Sequence, residues 1–99
     1  MRISEQTRIT IRNTVHELFG NHATVLLFGS RADDSAKGGD IDLLIHCDHP
    51  IEGARSKSLQ LIARLQMRLG DQPIDALIID PTTHQRPIHK IALTTGVPL

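Results

Sequence analysis

Two aspartates stand one residue apart in Gly39-Asp40-Ile41-Asp42-Leu43-Leu44-Ile45-His46, a run whose apolar content predicts a strand over 40–46. Side chains two apart on a strand share a face, so Asp40 and Asp42 project side by side and repel unless something positive sits between them. A hard divalent cation answers that charge. Mg²⁺ prefers oxygen ligands, keeps several waters and is commonly held by one or two carboxylates together with substrate phosphates. Upstream, Gly29-Ser30 closes the apolar run at 23–28. A glycine there lets a phosphate approach the backbone, and serine adds a hydroxyl and an N–H. Downstream, Asp75 lies in Ile74-Asp75-Ala76-Leu77-Ile78-Ile79, where an ionised carboxylate is costly unless paired or metal-bound. Each part alone is ordinary: a spaced acid pair is often a solvated face, Gly-Ser is often a turn, and Asp75 could reach solvent from an uncovered sheet face. Their conjunction describes a nucleotide site, with phosphate on one side and metal on the other.

Such residues need elements to position them. Ile11, Val15, Leu18 and Phe19 recur at helical spacing, with Ser4 as a cap and Gly20-Asn21 as a stop, which predicts a helix over 4–20. A buried strand at 23–28, a polar loop at 30–39 and the strand at 40–46 follow, the last closed by Asp48, His49 and Pro50. Leu61, Ile62, Leu65 and Leu69 mark an amphipathic helix over 52–69 that Gly70 ends. Pro73 introduces a third strand at 74–79, and Ile88, Ile91 and Ala92 predict a last short helix within 87–95. The order implies an α/β or α+β domain: a small mixed β-sheet with helices packed on one face. The 30–39 connection is too short for a helical crossover, so the first two strands should be antiparallel.

A chain of 99 residues and 11.0 kDa reads as one domain spanning 1–99, with a core that needs no staples. Cys47 alone cannot form an internal bridge, and no CxxC spacing exists, which favours a reducing, cytoplasmic setting. Eleven basic residues balance eleven acidic ones, and two Phe with no Trp or Tyr supply no stacking platform. Nucleic acid is therefore not expected as the primary partner. MRISEQTRIT lacks a signal-peptide core, and the longest aliphatic and aromatic run is Val25-Leu26-Leu27-Phe28, so no membrane span is expected. His46-x-x-His49 and the pair His84 and His89 lack the context of a zinc site. Arg31 can reach a phosphate or pair with Asp33 or Asp34, and Lys37 lies in the same loop. Arg64 and Arg68 read as a solvated helix face.

Gly29-Ser30-Arg31-Ala32, Gly39-Asp40-Ile41-Asp42-Leu43-Leu44-Ile45 and the later Asp75 resemble the DNA polymerase beta-like nucleotidyltransferase superfamily. More closely, the chain is similar to the minimal nucleotidyltransferases of prokaryotes, small proteins often encoded beside a helical HEPN-domain protein as antitoxin and toxin. The resemblance implies a nucleotidyltransferase fold, with Asp40, Asp42 and Asp75 as catalytic, metal-binding acids for two Mg²⁺ ions. It implies that Gly29 and Ser30 handle the triphosphate of ATP, with Arg31 beside them. The reaction implied is transfer of AMP to a hydroxyl, a tyrosine by resemblance, on a HEPN-type partner protein. Two departures stand out: Asp34 where many relatives have glycine, and Gly39 where a serine often precedes the acid pair. Two other functions compete: a catalytically silent module that neutralises its partner by binding it, and a nucleotide sensor.

Overall fold

The computed structural model describes residues 3–32 and 39–99. The first helix, α1, runs Glu5–Phe19, and the Ser4 Oγ accepts the Thr7 N–H at 3.1 Å, satisfying one of the donors that a helix start leaves over. Strands β1 (Thr24–Phe28) and β2 (Ile41–His46) pair antiparallel, as the short connection requires. Helix α2 (Ala54–Leu69) then carries the chain back, so that β3 (Ile74–Ile79) lies parallel to β2. Helix α3 (Pro87–Thr95) and a two-residue strand β4 (Val97–Pro98) follow. β4 pairs antiparallel with β1 at Leu26 and Leu27, giving the order β3-β2-β1-β4. The class is α+β with a mixed sheet, as expected.

The expectation of helices on one face needs correction. Ile41, Leu43 and Ile45 of β2 pack with Val25 and Leu27 of β1 against Ile11, Val15 and Phe19 of α1 and Leu61 and Leu65 of α2. On the opposite face, Leu44, Phe28 and Ile79 pack against Ala92 of α3. Leu43, Leu44 and Ile45 are consecutive and all 0 % exposed. Neighbouring strand residues point to opposite faces, so an unbroken buried run can exist only where both faces are covered. Burying a leucine such as Leu44 is worth roughly 2 kcal/mol, and α3 is the element that secures it.

Arg64 and Arg68 also differ from a simple solvated face. Arg68 donates to the Glu17 carboxylate at 2.7 Å and to the buried Thr14 hydroxyl at 2.7 Å, and Arg64 donates to Glu17 at 3.2 Å. These bonds tie α2 to α1, although exposure keeps the ion pairs modest.

After β3 the chain turns on a buried acid. Asp80 accepts the Ile51 N–H at 2.8 Å through one oxygen. Its other oxygen accepts the Thr82 hydroxyl at 2.6 Å and the Thr82 N–H at 2.8 Å. Donors on every side make the burial of a charge tolerable, and the Thr82 hydroxyl above all pulls the carboxyl down to about 2. A carboxyl held below its unfolded value adds stability above about pH 4 and loses it as the pH falls through about 2. Asp80→Asn should therefore lower the urea midpoint at pH 7, with the gap to the parent protein narrowing as the pH falls from about 5 towards 3. Denaturation curves across that range check this, and a gap that stays constant would refute it.

Candidate functional site

Parallel pairing sets the site. In the β2–β3 register Asp42 stands opposite Asp75, and in the β1–β2 register it stands opposite Phe28. Adjacent strands lie about 4.8 Å apart, so the two carboxylates leave neighbouring strands side by side on one face. That face is the one α3 covers, since Asp42 and Asp75 alternate with Leu43 and Ala76, which pack towards α1 and α2. Asp40 stands exposed just before β2. Asp42 is half-buried, and its carboxyl is pushed above the ordinary range, first by burial and then by the charges of Asp75 and Asp40.

Gly29 opens a single 3-10 turn, Gly29–Arg31, directly after β1. Its φ of +72° lies in the left-handed region, and a Cβ added there would run into the Asp42 carboxylate. Glycine is thus required both by backbone angle and by space. Ser30 occupies the middle of the turn, so residues 29 and 30 lie where backbone and acid meet. Arg31 extends a guanidinium nitrogen to the Gly39 carbonyl at 2.9 Å and to the Gln72 amide oxygen at 3.4 Å. Beside the two roles that sequence suggested for it, this side chain braces the residue that precedes Asp40. Asp33, Asp34 and Lys37 lie outside the described residues.

In front of the acids lies a cleft of about 770 Å³. Leu59 and Ile62 of α2 form one wall, Ile88 and Ile91 of α3 the other, and Asp42 and Asp75 close one end. The volume and the apolar lining with few polar groups are those of sites that take small molecules or single side chains. Sequence reasoning placed Ile88 and Ile91 on a packing stripe, yet they are 42 % and 55 % exposed and only Ala92 of that stripe is buried. Leu59, 61 % exposed, went unnoticed. An apolar residue off the buried stripe of an amphipathic helix was the available signal.

Among the described residues no three His, Cys, Asp or Glu side chains form a group that could hold a metal ion. Of the three acids expected as ligands, the structure brings two together: Asp42 and Asp75 stand in register, while Asp40 is near enough for its charge to act on Asp42 but does not join them as a third ligand. That pair suits a hard cation whose remaining ligands are phosphate oxygens and water, the usual arrangement for Mg²⁺, and not a closed protein cage. No helix among the described residues is long and apolar enough to cross a membrane.

A family model described as a nucleotidyltransferase domain matches residues 8–92. No curated protein matches the sequence.

Because the fold raises the Asp42 pKa, that residue contributes stability below its ordinary value of 3.8 and loses it as the pH rises through the raised value. Asp42→Asn keeps the volume and removes the charge, so it should raise Tm at pH 7, by an amount that shrinks towards about pH 3. Thermal melts at both pH values decide this, and a lower Tm at pH 7 would contradict it. Gly29→Ala should cost about 1–2 kcal/mol from its backbone angle alone, before the collision with Asp42 is counted. Gly39→Ala, at an open position, should stay within about 0.5 kcal/mol. Urea unfolding of the two variants compares them, and equal losses would count against the Gly29 contact.

Proposed function

The chain belongs to the nucleotidyltransferase domain family, and from that membership we propose that it transfers AMP from ATP to a hydroxyl of a partner protein, using Asp40, Asp42 and Asp75. The observation that carries this reading is the Asp42–Asp75 pair, set in register beside a turn whose glycine has no room for a side chain. Three acids beside a triphosphate would repel it, so a divalent cation belongs in the reading. Asp40, Asp42 and Asp75 are the residues that would hold it. Bound Mg²⁺, two ions by resemblance to the superfamily, would supply charge neutralisation and orientation of phosphate oxygens.

The chain's own residues have distinct tasks. The Gly29–Ser30 backbone, free of a side chain at its first position, receives the triphosphate, and Arg31 keeps Gly39 and hence Asp40 in place. Asp42, whose carboxylate lies against the turn at Gly29, would serve as a ligand to the cation beside the triphosphate. Asp75, on the outermost strand, faces the acceptor and takes its proton as the acceptor oxygen bonds to the α-phosphorus and the bond to pyrophosphate breaks. The apolar cleft beside the acids suits an aromatic side chain better than a sugar, which supports tyrosine as the acceptor. By resemblance the partner is a helical HEPN-type toxin, and the chain is its antitoxin.

Co-expression with that partner tests the reading. Mass spectrometry should find AMP-sized additions on the partner that disappear with Asp42→Asn, and titration should show ATP binding that depends on Mg²⁺. Asp75→Asn should lose transfer by at least about a hundredfold while ATP still binds. An unmodified partner that is nevertheless inhibited would favour the silent binding module, and labelled RNA would exclude a protein acceptor.

A further inference from the structure

The cleft does not end with the acids. Ser58, Ala76 and Leu77 line it and also line a second hollow of about 460 Å³, so the two join over β3. The far end of the second hollow is formed by Arg55, Arg86 and His89. Arg55 lies in the first turn of α2 and Arg86 caps the start of α3, and neither first turn contains an acid. Among the described residues neither arginine has a carboxylate within ion-pair distance. His89, 5 % exposed, accepts the Arg86 N–H through Nδ1 at 2.9 Å. Its proton is thereby left on Nε2, which has no acceptor among the described residues. The result is one groove along β3 with three zones: acids at the start, apolar surface over Leu77 flanked by exposed Leu59 and Ile88, and positive charge at the end. From Asp75 to Ile78 is three residues, about 10 Å along the strand.

We propose that this groove holds the acceptor as an extended protein segment, with its hydroxyl residue at Asp42 and Asp75, apolar residues over Leu77, and an acidic residue three positions away at Arg55 and Arg86. The inference rests on the transferase reading of the acids and adds the chemistry of the substrate to it. An extended chain also advances about 3.3 Å per residue, so three residues bridge the same span. Charge makes the groove directional, because an acid next to the hydroxyl would meet Asp42 and Asp75. Nucleic acid fits the groove poorly. Its bases need aromatic faces, and Phe19 and Phe28 are both buried, at 4 % and 7 % exposure. A sugar-phosphate chain would also have to cross the apolar middle.

The probe is a displayed library of short peptides with a fixed tyrosine, selected on the full chain without nucleotide. The expected result is enrichment of Asp or Glu three positions from the tyrosine, with Leu or Ile between them. The double variant Arg55→Glu, Arg86→Glu should bind ATP as the parent does, bind the selected peptides about tenfold more weakly, and select Lys or Arg at that position. No enrichment, enrichment without an acid, indifference to charge reversal, or an RNA oligonucleotide bound by the parent and lost in the double variant would each overturn the groove. Transfer is read separately, by incubating the selected peptides and the co-expressed partner with ATP and Mg²⁺. Peptides that bind and are modified support both readings. Peptides that bind but are never modified leave the groove standing and remove the transferase. A partner modified equally by parent and double variant leaves the transferase standing and removes the groove.

Discussion

Asp42 and Asp75 are held side by side by the backbone hydrogen bonds of a parallel strand pair, and their repulsion cannot be relieved without sliding β2 against β3. Sliding is blocked by the core. A shift of one residue would turn Leu43 and Ile45 out of the cluster under α1 and α2 and force Leu44 into it. Hydrophobic packing on both faces of β2 therefore fixes the positions of charges that would separate if free. The repulsion is built into the fold, and the rest of the candidate site is arranged around it: the bare glycine against Asp42, the brace from Arg31 to Gly39, and a cleft that opens on the acids.

Asp42 and Asp80 show how far surroundings decide what one residue type does. Asp80 is the more buried of the two, yet hydroxyl and amide donors keep it ionised. Asp42 has apolar surface and two like charges around it, so it holds its proton more firmly than an ordinary aspartate. The first acid secures the turn after β3 and the entry to α2. The second is destabilising by itself and is the kind of group that a binding site retains for its chemistry.

Much of this arrangement can be read from the residues. Ser4, Gly20 and Gly70 mark helix ends because capping is local, and Asp42 and Asp75 stand out as a candidate pair because charge in an apolar run has few explanations, a pairing that the strand register reproduces. What escaped was non-local. β4 is two residues long and exists through pairing with Leu26 and Leu27, so no periodicity announces it. The placement of α3 on the second face was implied by the unbroken burial of Leu43-Leu44-Ile45, a signal more easily read as a single buried strand. Arg55, Arg86 and His89 come together only because two helix starts meet over β3, which no spacing along the chain reveals.

The short strand β4 has one more consequence, for behaviour in a crowded solution. An uncovered outer strand presents a row of free N–H and C=O groups that invites other chains to add on and aggregate. Here the outer strand beside β1 spans two residues, and one of them, Pro98, has no N–H to offer. At the other border the Ser58 hydroxyl donates to the Ala76 carbonyl at 3.0 Å, so α2 occupies an acceptor that an incoming strand would seek. Both borders of the sheet are blunted, and strand-by-strand growth into fibrils is discouraged at the same two places where the sheet ends.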